Sequence, residues 1–139
     1  MVAIPEEAMR ILVKNKSVAL IGSVDSEGTP NISPRFVLGR VGPEKLLFAD
    51  VFTNKTFANL KAWNRVTAAI VDRETMSGFQ LKGEALETED PELVAEANAK
   101  LKEFGFDTKP HRVWILAVNE VYSLKPSEKS RQPLISAYG

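Results

Sequence analysis

Helical and alternating patterns of apolar and polar residues divide the 139-residue chain into short segments. Ala8, Ile11 and Leu12 recur at helical spacing behind Pro5, Glu6 and Glu7, which suit a first helical turn, so a helix is predicted to about Asn15. Residues 17–24 mix small and β-branched types and read as a strand, and 25–29, with Gly28, carry turn chemistry. A second strand is predicted over 30–41, where Pro30 and Pro34 call for an edge or a bulge near its start. Residues 45–49 form a third strand, 50–54 a polar loop, and 55 to about 64 a helix with Phe57 and Leu60 inward. Residues 66–72 read as a buried strand. In 78–88, Phe79, Leu81, Gly83 and Ala85 alternate with Gln80, Lys82 and Glu84, the period of a strand with one polar face. Asp90 as N-cap and Pro91 at the first position open a helix striped by Leu93, Val94, Ala97, Leu101 and Phe104, and Gly105 ends it. A long strand over 113–125 stops at Pro126, and the tail 126–139 follows without a predicted element.

Six strands joined mostly by short turns favour antiparallel pairing. The expected fold class is mainly β, a small closed or split antiparallel barrel with peripheral helices. One domain is expected over 1–139, with 1–16 as an N-terminal helical segment and 126–139 as a tail. Hydrophobic residues at 44% and charged residues at 26% are an ordinary globular balance, against disorder or a collagen-like chain. Cysteine is absent, which excludes disulfides, thiolate zinc, iron–sulfur clusters and a cysteine nucleophile. The single histidine, His111, excludes a multi-histidine metal site within one chain, and no metal site is expected. Eighteen basic and eighteen acidic residues cancel, without the basic excess of a nucleic-acid binder. The acidic start is unlike a secretory signal, and the apolar runs are too short to span a bilayer. A cytoplasmic protein with neither a nucleic-acid nor a membrane partner is expected.

The stretch 48–60 is the richest in chemistry. A strand ends, a polar loop follows, and a helix opens at Asn54, Lys55 and Thr56. A helix N-terminus with a lysine and a hydroxyl suits a phosphate, and Asn59 shares a helix face with Lys55. The same residues also read as an N-cap, Thr53 or Asn54, beside a solvated lysine. Arg35 in its strand is either an edge charge or a contact for an anion or planar ring. Gln80 and Lys82 share a polar strand face that is either wet or ligand-facing. His111 in a loop offers an acid or base with no assignable catalytic partner, and no catalytic residue is assigned. Trp63 and Trp114 suit core or interface. Glu84, Glu87, Glu89, Asp90 and Glu92 read as a solvated face and a helix cap.

In their order, Gly28-Thr29-Pro30, Ser33-Pro34-Arg35, Phe48-Ala49-Asp50, Asn54-Lys55-Thr56, Asn59-Leu60 and the strands over 66–71 and 78–85 resemble the flavin-binding split-barrel family of pyridoxamine 5′-phosphate oxidase. The resemblance covers residues 17–124. It implies a six-stranded split barrel, a homodimer, and one FMN per subunit in clefts at the dimer interface. Ser33, Pro34, Arg35, Phe36 and Val37, with Leu38 completing the motif, are similar to the strand that contacts the flavin. Lys55, Thr56 and Asn59 are similar to the phosphate-binding positions, with Thr56 in place of a second basic residue. Residues 50–53, from Asp50 to Thr53, would line the ribityl chain, Asn54 is a further cofactor-binding candidate at the helix start, and Gln80 and Lys82 would approach the cofactor. The family's C-terminal tryptophan and paired arginines are missing, so the substrate is left open. The resemblance implies an FMN-dependent oxidoreductase. Alternatives are a flavin-binding or electron-transfer module without a substrate, or a deazaflavin- or haem-binding relative.

Overall fold

The computed structural model describes residues 1–50, 55–106, 112–127 and 131–138, the side chains of 55–57 excepted. Helix α1 (Glu6–Lys14) leads into β1 (Val18–Val24), β2 (Pro30–Arg40) and β3 (Lys45–Asp50). Helix α2 (Lys55–Ala62), β4 (Arg65–Asp72), β5 (Ser77–Glu87), α3 (Pro91–Glu103), β6 (Arg112–Ser123) and β7 (Ile135–Ser136) complete the described elements. All strand pairs are antiparallel, in the order β3-β2-β1-β4-β5-β6. β3 also pairs with β6, from Lys45 opposite Ala117 to Asp50 opposite Arg112, and this closes a six-stranded barrel. Short turns make that order inevitable for β1–β2–β3 and β4–β5, while α2 and α3 carry the longer crossings.

Element boundaries follow local chemistry. β1 starts one residue later than predicted because Lys16 and Ser17 both take positive φ (55° and 65°), which no strand accommodates. Asp90 caps α3, its carboxylate accepting the Glu92 N–H at 3.0 Å, with Pro91 at the first position. β2 does have an edge at its proline end, since β3 pairs only from Phe36 onward. Its bulge lies at the other end, between Val37 and Gly39, where Leu38 has no partner on β3. Asp50 ends β3 and is wholly buried rather than starting a polar loop.

Alternation sends one set of side chains into the barrel and the other outward. Ala19, Ile21, Val37, Leu46, Phe48, Ala68, Ile70, Leu81 and Trp114 form the interior core, sealed by Ile11 and Leu12 of α1 and Leu60 of α2. A second core lies outside the wall, where Ala97 and Leu101 of α3 cover Leu38, Leu47, Ala49 and Val113. That double cover explains why β3 is buried on both faces, from Leu46 to Asp50. Trp114 is core, as its type suggested, whereas Trp63 is half exposed.

β6 outlasts β3, and other segments cover its remaining edge. Val2 donates to the Val118 carbonyl at 2.8 Å, Leu134 to Val121 at 2.6 Å and Ala137 to Asn119 at 2.8 Å. β7 pairs here, Ile135 opposite Val121 and Ser136 opposite Glu120, so part of the tail is a seventh strand that the sequence pattern does not predict. On its other side β6 carries a bulge: Lys82 faces Glu120 but Gly83 faces Val118, leaving Asn119 extra. Among the described residues, no helix is long and apolar enough to cross a membrane.

Candidate functional site

Arg35 lies on the inward face of β2, opposite Ala19 of β1. Its Nε donates to Asp50 Oδ1 at 2.6 Å and its Nη1 to the Pro34 carbonyl at 2.7 Å. The second Asp50 oxygen accepts the Trp114 indole N–H at 2.9 Å. Asp50 is 0% exposed and the Arg35 side chain 10%, so the pair is a desolvated ion pair held by three strands. Arg35 Nη2 is buried and has no hydrogen-bond partner among the described residues. A guanidinium has five N–H donors in a fixed fork, and the direction of Nη2 is set by the bond at Nε.

The neighbouring positions of β2 are used differently. Phe36 stacks on Phe104 (5.0 Å between centroids) and meets Phe106 edge-on (5.2 Å), in the outer core. Val37 is buried in the inner core. Ser33 is half-buried and Pro34 exposed. The side chains of Phe36 and Val37 are therefore packed away, and a ligand beside β2 would meet backbone, Pro34 and the Arg35 fork.

Helix α2 begins at Lys55 as predicted. Thr53, Asn54 and His111 lie outside the described residues, as do the side chains of Lys55 and Thr56. Asn59 is 2% exposed, and its amide donates to Ser23 Oγ at 3.1 Å. Ser23 in turn lines a cavity of about 740 Å³ on the outer side of β1, β4 and β5. Gln80 and Lys82 line the same cavity. The structure thus groups Gln80 and Lys82 at one cavity on the outer face, while Arg35, Asp50 and the Asn59–Ser23 bond lie on the inner side of the wall.

The cavity also holds residues that the sequence reading did not single out. Thr67 Oγ1 is buried there with no hydrogen-bond partner among the described residues, next to Gly22, whose missing side chain leaves room for the Thr67 methyl. Arg65, Glu84, Asn119 and Glu120 add charge and polarity, and Tyr138 of the tail closes one side. Lys82 Nζ sits 4.7 Å from the centre of the Tyr122 ring. The Tyr122 hydroxyl donates to Glu120 at 2.8 Å, and this bond holds the phenol above its ordinary pKa, so it stays protonated at neutral pH. Strand alternation could have flagged Thr67, two residues from Ala69 on the outward face. Tyr138 had no such signal, because its place depends on β7. A second cavity, between the end of α1 and the β4–β5 turn, is lined by Lys14, Asp72 and Glu74, which pair with one another, and holds none of the predicted residues.

Comparison with known proteins gives this geometry a family. An uncharacterised protein of Methanocaldococcus jannaschii is 27% identical over 126 residues, 89% of this chain and 83% of its own. The solved structure of an FMN-binding protein from Syntrophomonas wolfei subsp. wolfei superposes with a TM-score of 0.75 at 18% identity, covering 88% of this chain and 87% of that one. A heme binding protein from Mycobacterium smegmatis superposes at 0.65 and 24% identity, covering 91% of this chain and 57% of that one. These structural likenesses carry the fold. Residues 5–125 match the sequence profile described as pyridoxamine 5′-phosphate oxidase, and the chain belongs to that family.

Proposed function

We propose that this chain is an FMN-binding flavoprotein that works as a cytoplasmic homodimer, and that it is an oxidoreductase with a substrate still to be assigned. The observation that carries the reading is a pair of buried donors with no acceptor among the described residues, Arg35 Nη2 and Thr67 Oγ1, in a chain of this family. A buried donor left unpaired costs about 1–3 kcal/mol. A ligand that brings acceptors relieves that cost, and FMN has them along its ring edge and phosphate. The donor set fits: a guanidinium, a hydroxyl, the Gln80 amide and Lys82, with the start of α2 at Lys55 and Thr56 for the phosphate. Asn59 would support the α2 side through Ser23. Bound FMN would supply the electron or hydride transfer, and the chain would bind the ring, orient it and keep water from it.

The dimer belongs to the same proposal. Arg35 faces the barrel interior, whereas Gln80, Lys82 and Thr67 face outward. One subunit does not bring the two groups together. The outer face of β1 and β2 also exposes Leu20 and Ile32, an apolar surface suited to a second copy. Laying a partner there would cover Leu20 and Ile32 and close over the cavity that Ile32 shares with Gln80 and Lys82.

The test is a visible absorbance spectrum of the purified protein after soaking in FMN and gel filtration. A retained two-band flavin spectrum is expected, and a colourless protein would overturn the reading. Lys55→Ala should weaken FMN severalfold through loss of a charged phosphate contact. A haem reading is favoured only by the structural likeness to the Mycobacterium smegmatis protein. Retention of hemin with a Soret band, and not of FMN, would put it first.

A further inference from the structure

We infer that Tyr138 is a ligand-contacting residue, an aromatic wall on which a planar heteroaromatic ring stacks in the outer cavity. The inference rests in part on the flavin reading, but what carries it is the path of the tail. β6 runs on past β3, and its free edge accepts Leu134 at Val121 and Ala137 at Asn119. Asn119 is the extra residue of the β6 bulge, opposite the step from Lys82 to Gly83. The bulge brings Asn119 and Glu120 to the cavity, and the residue after Ala137 is delivered to the same place. Tyr138 is held there from its own backbone, its N–H donating to Ser136 Oγ at 3.0 Å.

The ring itself is poorly used by the protein. Tyr138 is 71% exposed although its backbone is anchored, and among the described residues no aromatic ring pairs with it. Gly22, Thr67 and Gly83, small or glycine positions, also line the cavity. Gly83 admits no side chain, since a Cβ there would lie 1.9 Å from the Ala117 carbonyl oxygen. Thr67 Oγ1 lacks a partner among the described residues, and Gln80 and Lys82 stand at the polar edge. Small lining residues, an aromatic ring without an aromatic partner among the described residues, and polar groups beside them match a planar ring with heteroatoms on its rim. Two sources share that chemistry, the flavin ring and the nicotinamide or adenine ring of a pyridine dinucleotide donor.

The experiment titrates FMN and, separately, NADH into wild type, Tyr138→Phe and Tyr138→Ala, following ligand fluorescence, with melting curves to check folding. Tyr138→Phe keeps the ring and is expected to bind within about twofold of wild type. Tyr138→Ala is expected to lose at least about fivefold, the lower end of what a stacked aromatic contributes. A loss for FMN alone assigns the ring to the flavin; a loss for NADH alone assigns it to the donor. Tyr138→Ala that binds both ligands as wild type does overturns the inference and leaves the flavin reading intact. Wild type that binds NADH through Tyr138 but takes no FMN sinks the flavin reading and keeps the inference. Wild type that binds neither ligand overturns both.

Discussion

Asp50 accepts from Arg35 on one oxygen and from Trp114 on the other, so a carboxylate that is 0% exposed inside the barrel is met by two donors. Removing one member leaves its partner charged, buried and unsolvated. Asp50→Ala should therefore cost about 3–5 kcal/mol, the usual penalty for breaking a buried pair. Urea unfolding followed by Trp114 fluorescence measures it. A loss under about 1 kcal/mol would mean that water reaches Arg35.

Glu87 sits between Lys61 (2.9 Å) and Arg112 (3.1 Å). The Lys61 hydrogen bond holds its carboxyl below the ordinary value of 4.5 against the opposing push of burial, with the Arg112 charge adding a further, smaller pull in the same direction. A lowered folded pKa means stability that is present above the unfolded value and is lost as pH falls through the folded one. Below about pH 4.5 the wild type should lose stability more steeply than Glu87→Gln, and the two curves should converge at low pH. Melting temperatures from pH 7 down to pH 3 provide the comparison; parallel curves would remove Glu87 from the acid response.

Gly83→Ala is expected to cost at least about 3 kcal/mol, the upper end of an ordinary overpacking change, because the added methyl meets backbone rather than a yielding side chain. Thermal melting reads the loss. Gly28→Ala is a useful control, since Gly28 has open space around it and only its positive φ to lose.

Leu101 is the fully buried centre of the contact between α3 and β3. Leu101→Ala should cost about 2–5 kcal/mol through lost burial and the cavity left behind. Chemical denaturation would show it as a lower midpoint at unchanged slope.

Much of this was legible along the chain. The period-two run of β5, the capped stripe of α3 and the turn residues at Gly28 are local signals, and they set the elements nearly residue for residue. The family was legible too, from the order of its motifs. What local pattern could not carry was distance. Asp50 reads as loop chemistry because its partners lie 15 and 64 residues away, and only the barrel brings them together. β7 is two residues long, too short for any periodicity, and exists because β6 offers an unpaired edge. The division of the candidate residues between the two faces of the wall follows from barrel closure, which no stretch of sequence displays.

The two cores meet at five pairs of adjacent residues, Val37 and Leu38, Leu46 and Leu47, Leu47 and Phe48, Phe48 and Ala49, and Val113 and Trp114, with one member of each pair on either side of the wall. There is no seam along which α3 and its cluster could melt while the barrel stayed ordered, since each peptide bond between such neighbours ties one core to the other. The protein should lose both in a single cooperative transition, and the slowest-exchanging amides should come from β3 and β6 together, on both of their faces.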